Sequence, residues 1–351
     1  MFFNAERTID AVQSPDAEGS SGTDASFGAA VFRRAGISLL ALPLLIATLP
    51  APAQEYPAKP IRIYYASAPG GPMDIMARLV AQAFGAQFGQ QPIVEPKPGA
   101  GTTVGAAFVA RQNPDGYSLM LMSSGHATSP GLYKSLSYDA AEDFTMISML
   151  ASSPFAVMTT PATPYRTIQD LMQSARAQPG KIDFGTGGVG TGMHLVAVLL
   201  QSRTGIRMTH IPYKGATTAV LLAGEVPIVF SPVAGITPFV ASGKLRVLAV
   251  SSKKRYAALP DVPTIAETVL PEFDALAWYA LAAPKKLQEA IVNRLNQAAL
   301  VALKRSDVAE RIHAQGAEVW PTTPREAQEF LAAEVTRWTR LIREEKIQAP
   351  E

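Results

Sequence analysis

Residues 61–122 read IRIYYASAPGGPMDIMARLVAQAFGAQFGQQPIVEPKPGAGTTVGAAFVARQNPDGYSLMLM, and this stretch decides the fold. Three short apolar runs, at 61–66, 92–95 and 117–122, predict strands. The segments between them follow proline–glycine breaks and predict helices, the first because apolar residues recur at helical spacing from 75 to 83. This strand–helix–strand–helix–strand order predicts a mostly parallel sheet with helices on both faces.

The alternation continues through the rest of the chain. The predicted strands are 155–159, 181–184, 208–212, 226–230 and 247–250, with helices at 167–177, 193–202 and 217–223 between them. Three helices are predicted in the last third, at 287–304, 306–315 and 324–345. The sequence therefore predicts an α/β protein of two lobes with a helical C-terminal tail.

The composition excludes several classes of protein. The chain has 351 residues, of which 48% are hydrophobic and 17% charged, so it suits about two domains and is not a disordered chain. It has no cysteine, which excludes disulfides, thiolate metal sites and cysteine nucleophiles. Lys and Arg number 31 against 29 Asp and Glu, a balance that argues against nucleic-acid binding.

The first 53 residues predict an export leader rather than part of the fold. A polar start is followed by Arg33-Arg34, an apolar run from Ala35 to Leu49, and Ala51-Pro52-Ala53. This is the order of a secretory signal with a small-x-small cleavage site. The alternative is a membrane anchor, but the run contains a proline and is shorter than the ~20 residues that a spanning helix needs.

Four glycine-rich junctions between predicted strands and helices are the conspicuous motifs. They are Pro69–Asp74, Pro98–Thr102, Ser123–Ala127 and Gly185–Thr191. Glycine lets the backbone approach a ligand closely, and a helix N-terminus offers unpaired N–H groups at the positive end of its dipole. A single junction of this kind is most simply a tight turn, but four of them predict an anion-binding cleft at the carboxyl ends of the strands.

The fourth junction also contains the G-x-G-x-x-G pattern of dinucleotide-binding proteins, at Gly185, Gly187 and Gly190. That fingerprint requires an acidic residue about twenty positions later to hold a ribose hydroxyl. Residues 209–214 read THIPYK and contain no carboxylate. A dinucleotide enzyme using this loop therefore remains an alternative, and a secreted hydrolase is another, although the sequence has neither G-x-S-x-G nor H-E-x-x-H.

The four histidines do not have the spacing of metal ligands. His126 and His194 lie beside glycine-rich junctions, where a hydrogen bond to a ligand is possible. His210 and His313 are expected to be structural or surface residues. No catalytic constellation, metal or cofactor is predicted.

An ordered set of short motifs resembles the periplasmic receptors of the tripartite tricarboxylate transporters, the TctC-like or Bug proteins. The set runs over about residues 56–350 and consists of Tyr56–Ile61, Pro69-Gly70-Gly71 with Asp74 and Ala77-Arg78, Pro98–Gly101, Pro114–Tyr117, Pro179–Lys181, Pro212–Gly215, Gly243–Arg246, Leu259–Thr264 and Trp278-Tyr279. Each motif is weak alone, whereas the ordered set is specific.

The resemblance implies a type II periplasmic binding protein, a "Venus flytrap" that closes on a small carboxylate. It implies one lobe of residues 54–153 and 250–351 and a second of residues 154–249. It also implies that backbone N–H groups hold the carboxylate. The implied ligand-binding residues are Ala68, Gly70, Gly71, Asp74, Gly101, Thr102, Ser123, Ser124, His126, Thr186, Gly187, Thr191, His194 and Ser231.

The chain departs from many relatives at several of these places. Pro96-Lys97 stands where many have Asn-Arg, and Pro227 and Ser231 stand where many have Asp. Pro227 cannot donate to a sheet, so its strand is expected to start late or to run along an edge. Without a carboxylate at Ser231, the ligand is expected to be a plain mono- or dicarboxylate rather than an amino acid.

The sequence therefore predicts a monomeric, exported solute-binding receptor in the periplasm, without catalytic activity, that delivers a small organic carboxylate to membrane permease subunits. A receptor that signals to a sensor kinase is a further alternative.

Overall fold

In a computed structural model, residues 56–67, 69–213 and 217–348 are described, and they contain ten strands and eleven helices. The predicted leader and its cleavage site lie outside these residues. The strands are β1 (Arg62–Tyr65), β2 (Ile93–Pro96), β3 (Ser118–Ser123), β4 (Phe144–Thr159), β5 (Asp183–Thr186), β6 (Thr209–Pro212), β7 (Ile228–Pro232), β8 (Arg246–Val250), β9 (Leu276–Pro284) and β10 (Glu318–Val319).

The helices alternate with the strands through the first two thirds of the chain and dominate its end. They are α1 (Pro72–Phe88), α2 (Thr103–Ala110), α3 (Ser124–Leu132), α4 (Ile168–Ala177), α5 (Gly192–Thr204), α6 (Thr217–Leu222), α7 (Thr237–Ala241), α8 (Ile265–Thr268), α9 (Glu289–Leu303), α10 (Ser306–Ala314) and α11 (Pro324–Glu344). A short 3-10 turn at Ala100–Thr102 precedes α2. Within the described residues, every helix is too short or too polar to cross a membrane.

The strands form two sheets that share β4. In the first sheet β2, β1 and β3 are parallel, and β9 joins them antiparallel to β3. The first part of β4 then pairs with β9 and with β10, as far as Pro154. From Phe155 onward β4 pairs instead with β7 and β8, and β5 and β6 continue the second sheet in parallel beyond β7. The result is the two-lobed α/β architecture that the sequence predicted.

The prediction of a mostly parallel sheet was wrong for part of the molecule, and the helical tail contains one short strand that was not predicted. The alternating strands at 61–122 are confirmed, but β9, β10 and the first eleven residues of β4 were not predicted. Alanine-rich β9 has low intrinsic strand preference, and Pro154 interrupts the apolar pattern of β4. These antiparallel strands make the first sheet mixed.

Alternation along the central strands separates two cores in the first sheet. Ile63 and Leu121 face α1 and α9, whereas Tyr64 and Met120 face the side covered by α2, α3 and α11. The last helix thus packs on the sheet with a buried apolar stripe that includes Trp338 and Leu341, as predicted.

Beneath α11, one buried carboxylate holds two indoles. Glu334 is 5% exposed and accepts hydrogen bonds from Trp278 Nε1 (3.3 Å) and Trp338 Nε1 (2.9 Å), and it pairs with Arg337. Burial raises the pKa of Glu334 despite these donors. The carboxylate therefore ties β9 to α11 and satisfies both indole N–H groups in the interior.

Ser251 lies where the chain passes from the second sheet back toward the first, directly after β8. Its backbone N–H donates to Phe155 O (2.8 Å), its hydroxyl accepts from Phe155 N–H (2.8 Å) and donates to Ala275 O, and its carbonyl accepts from Ala275 N–H (3.0 Å). The residue is fully buried. It therefore joins β4, the end of β8 and the segment before β9 at one place.

Replacing Ser251 tests this junction. S251A leaves the N–H of Phe155 with no side-chain acceptor and the carbonyl of Ala275 with no hydroxyl donor, so the free energy of unfolding should fall by about 1–3 kcal/mol. The matched control is S252A, whose hydroxyl bonds only to the carbonyl of Lys254 near the surface, and its loss should stay within about 0.5 kcal/mol. Denaturant titration measures both, and equal losses would contradict the role given to Ser251.

Candidate functional site

The glycine-rich junctions lie where the sequence placed them, at the carboxyl ends of strands. Because β1, β2 and β3 are parallel, the loops that follow them share one edge of the first sheet. The fourth loop, between β5 and α5, belongs to the second sheet.

Close approaches at α3 bring three of these loops together. A Cβ added at Gly101 would lie 2.5 Å from the Tyr133 hydroxyl, and one added at Gly190 would lie 2.9 Å from the Leu132 side chain. Leu132 and Tyr133 stand at the C-terminal end of α3, whose N-terminus is the third junction. The loop after β5 in the second sheet therefore contacts the end of α3, which follows β3 of the first sheet. Glycine at 101 and 190 permits these contacts because a Cβ atom at either position would clash.

At the first junction, the carboxylate of Asp74 is used inside the loop. It is 6% exposed and accepts from the N–H of Gly70 (3.1 Å) and from Arg78 Nε (3.0 Å). Burial alone would raise the pKa of Asp74, but these donors outweigh it and lower the pKa. Gly71 is the N-cap of α1 without a side-chain cap, and Ala68 lies outside the described residues.

The second junction has a rare backbone conformation. Gly99, Ala100, Gly101 and Thr102 have φ angles of 140°, 41°, 58° and 85° in succession. A positive φ is strained for a β-branched residue such as Thr102, and such strain collects at functional sites. The hydroxyl of Thr102 is buried and has no hydrogen-bond partner in the structure.

The backbone changes hand after this run. Thr102 is left-handed and Thr103 is right-handed, with φ/ψ of 85°/−12° and −67°/−32°. Their N–H groups already donate within the turn, to the carbonyls of Gly99 (3.2 Å) and Ala100. This junction therefore offers a carboxylate the unpartnered hydroxyl of Thr102 beside the N-terminus of α2, and no cationic side chain is required.

At the third junction, two serines and a histidine have different environments. Ser123 is the N-cap of α3 but makes no side-chain capping bond, and both it and Ser124 are partly exposed. His126 is fully buried, donates from Nε2 to the carbonyl of Ala140 (2.8 Å), and lies against Tyr138 and Phe144. Its Nδ1 has no partner.

The fourth junction is built around a threonine and two stacked histidines. Thr186 Oγ1 lies 2.6 Å from His210 Nε2, and the rings of His210 and His194 are 4.0 Å apart at 16°. His194 Nδ1 accepts from the N–H of Gly190 (3.1 Å), and Thr191 caps α5 by accepting from the N–H of His194. Gly187 follows Thr186 and is partly exposed. It lies between Thr186, which contacts His210, and Gly190, whose N–H is bonded to His194.

Sequence reasoning expected His210 to be an ordinary structural or surface residue, and it missed this contact with Thr186. The signal was its position: the dinucleotide pattern puts its ligand-binding acid near the end of the strand after the helix, and His210 stands there in β6, opposite Phe184. The unit β5–α5–β6 is indeed a strand–glycine loop–helix–strand arrangement, with an imidazole where that fingerprint has a carboxylate.

Ser231 lies within β7 and is 7% exposed, and its hydroxyl accepts from Thr217 Oγ1 (3.2 Å). β7 starts at Ile228, directly after Pro227, so the expected late start of this strand is confirmed. The alternative expectation, that the strand runs along an edge of the sheet, was wrong, because β7 is an interior strand between β4 and β5.

A separate cavity lies at the opposite end of the first sheet. It has a volume of about 560 Å³ and lies at the amino ends of β1 and β3, where Lys59, Arg62, Asp115 and Tyr117 line it. Ligands of open α/β sheets bind at the opposite ends of the strands, so this cavity is not part of the candidate site. Among the described residues there is no group of three or more potential metal-ligating side chains.

The comparisons with known proteins agree with this geometry. Residues 76–347 match the model of the tripartite tricarboxylate transporter family receptor, TctC. Protein BugT of Bordetella pertussis (strain Tohama I) is 36% identical over 299 residues, covering 84% of this chain and 92% of BugT. The solved structure of periplasmic binding protein BugD is 31% identical with a TM-score of 0.68, covering 84% of this chain and all of that one.

A further solved structure contains a ligand. MatC from Rhodopseudomonas palustris, with bound malate, is 28% identical with a TM-score of 0.67, covering 82% of this chain and 100% of MatC. The chain therefore belongs to the TctC family of tripartite tricarboxylate transporter receptors, whose members include solute-binding proteins of the Bug type.

His126 should make the stability of the protein depend on pH. Burial lowers the pKa of His126 from 6.5 to about 4, so below pH 6.5 the unfolded chain binds the proton more readily than the folded one. The free energy of unfolding should therefore fall as the pH falls from 6.5 to 4, by up to about 3 kcal/mol for this group.

The substitution H126Q keeps a donor for the carbonyl of Ala140 and removes the titration. Denaturant melts at pH 7, 5.5 and 4.5 should show a shallower loss for H126Q than for the wild type. The exposed His313 provides the control, since H313Q should follow the wild type. Parallel curves for H126Q and the wild type would refute the assignment.

Proposed function

We propose that this protein is an extracytoplasmic receptor that captures a small organic carboxylate between its two lobes and passes it to the permease subunits of a tripartite tricarboxylate transporter. The observation that carries the proposal is the left-handed backbone at 99–102, which leaves the buried hydroxyl of Thr102 without a partner close to Gly125 in the first turn of α3. Family membership and the malate bound to MatC support it.

The proposed lobes are residues 54–153 with 250–351, and residues 154–249. The change of partners in β4 between Pro154 and Phe155 supports the first boundary, and the bonds of Ser251 support the second. With only two passages at this junction, the lobes can move by small backbone rotations there. Ligand binding would favour the closed form because both lobes then contact the solute.

The carboxylate would be held by N–H groups and hydroxyls rather than by a cationic side chain. Gly101, Thr102, Ser123 and Ser124 would supply the first lobe's contacts, with Gly71 and Asp74 at the neighbouring junction. Gly187 and His194 would supply those of the second, whereas Thr186 and Thr191 would act through the shape of the loop because their hydroxyls are already bonded within the protein. Gly70 and His126 would act mainly by shaping the loops, because the Gly70 N–H and His126 Nε2 are already bonded within the protein.

The solute is proposed to be a plain mono- or dicarboxylate. Ser231 offers a hydroxyl that is already bonded to Thr217, and it brings no negative charge to an ammonium group. An amino acid would therefore lack an ion-pair partner at this position.

The protein is proposed to be a monomer that acts in the periplasm after the leader at 1–53 is removed, without catalysing a reaction and without a cofactor. The class of the BugD structure and the sequence of residues 33–53 support the location. A receptor that reports to a sensor kinase would share all of these features except the permease. Loss of carboxylate uptake on deletion of the gene, restored by complementation, would favour the transport role.

A screen of organic acids tests the solute class. Thermal melts with malate, other C4–C6 dicarboxylates, aromatic monocarboxylates, aspartate and glutamate should show stabilisation by an acid without an amino group. A ligand present at 100 times its Kd stabilises by about 2.7 kcal/mol. Calorimetry then gives the Kd of the best acid.

NAD is the matched control, because a dinucleotide enzyme that uses the Gly185–Gly190 loop would bind it. Stabilisation by NAD, with no stabilisation by any acid, would overturn the proposal. Tight binding of aspartate or glutamate alone would leave the receptor class standing and refute the plain carboxylate.

A further inference from the structure

We propose that His210 is a positioning residue. It stacks on His194, and the two imidazoles together hold the loop Thr186–Gly190 at both ends in the conformation that contacts the ligand. The inference rests on the proposed function in that this loop meets the solute. His210 itself would not touch the solute.

The first end of the loop is fixed through a hydroxyl. Thr186 is fully buried, and its Oγ1 lies 2.6 Å from His210 Nε2. The same hydroxyl accepts from the N–H of Gly188 at 3.2 Å. The carbonyl of Gly188 lies 3.3 Å from the same hydroxyl, so the shorter contact with the His210 imidazole is what favours one orientation of the Thr186 hydroxyl and supports the turn at Gly188.

The second end is fixed through the other imidazole. His194 Nδ1 accepts from the N–H of Gly190 at 3.1 Å, so this nitrogen carries no proton and the ring is neutral. Thr191, the cap of α5, also donates its hydroxyl to the carbonyl of Gly188 at 2.8 Å. Gly188 and Gly190 have φ angles of 128° and 76°, which glycine reaches without strain. Because glycine can also adopt many other conformations, the loop's own backbone does not fix its shape, and bonds from neighbouring side chains do.

The two ends are coupled by ring stacking. Phe184, His210 and His194 form a continuous stack, with centroid separations of 5.0 Å and 4.0 Å and interplanar angles of 25° and 16°. Burial lowers the pKa of both histidines, that of His194 to about 4, and this agrees with two neutral rings in contact at neutral pH. Moving His210 would thus disturb Thr186 directly and Gly190 through His194.

Plain packing is the competing explanation, and the variants are chosen to separate the two. H210F keeps an aromatic ring in the stack but cannot bond to Thr186, whereas H210Q keeps a polar group that can reach Thr186 and loses the ring. T186V removes the hydroxyl from the other side with little change in volume. H313Q, which replaces an exposed histidine, is the matched control for the loss of a histidine.

The first measurement needs no ligand. In the full chain labelled with ¹⁵N, His194 should show an unprotonated Nδ1 and a protonated Nε2. The amide resonance of Gly188 should shift or broaden in H210F and T186V, which remove the contact between Thr186 and His210, and remain close to the wild type in H210Q. The amide resonance of Gly190 should shift in H210Q, which loses the ring stacked on His194, and both resonances should be unchanged in H313Q. An unchanged Gly188 resonance in H210F would overturn the proposal.

The second measurement is the Kd for the acid that most raises the melting temperature in the screen. H210F should weaken binding about tenfold, the size expected from one hydrogen bond, and H210Q should recover to within about threefold of the wild type. The double variant H210F/T186V should bind no more weakly than H210F, because both changes remove the same interaction. Wild-type affinity in H210F, or additive losses in the double variant, would refute the positioning role.

The two proposals can fail separately. If no acid binds the wild type, the proposed function fails, while the amide resonances still decide whether His210 fixes the loop. If the acids bind and H210F loses melting temperature but not affinity, the histidine pair only packs, and the receptor function stands.

Discussion

The shared strand β4 is the constraint on which the rest of this molecule depends. It belongs to one sheet up to Pro154 and to another from Phe155, so each lobe is completed by a part of the same continuous backbone. Ser251 bonds to Phe155, the first residue after this change, and to Ala275 before β9, which keeps the return passage of the chain beside the outgoing one. This junction therefore sets how the two sheets are placed, and a hinge motion between them would pass through it.

The proposed site would use backbone geometry and hydroxyls where many anion sites use charge. Arg78, four residues after Asp74 in α1, is paired with that carboxylate, and the second junction has a run of left-handed residues with an unpartnered hydroxyl at Thr102. Such a site would have its donors in place before the ligand arrives, so little ordering would be required at the moment of binding. Its selectivity would then depend on the positions of a few hydroxyls and rings, including the contact of Thr186 with His210.

The sequence was most informative where local rules decide the structure. The alternation at 61–122 and the late start of β7 after Pro227 followed from residue spacing and from the missing proline N–H. Pairing between distant segments was not predictable in this way: β9 joins β3 and β4 through contacts more than a hundred residues apart in sequence. For the same reason the junction loops were found, whereas the stack of His194 and His210, which depends on the register of β6 beside β5, was not.

The indoles bound to Glu334 have a practical consequence for studying the movement of the lobes. All three tryptophans of the chain, at 278, 320 and 338, are in segments assigned to the first lobe, and two of them share one buried carboxylate. Tryptophan fluorescence therefore reports on the environment of that lobe, and no tryptophan signal originates in the other. The chain also contains no cysteine, so a single thiol placed on the second lobe would carry a dye without competing sites. Energy transfer from the native indoles to that dye would then follow the distance between the lobes directly.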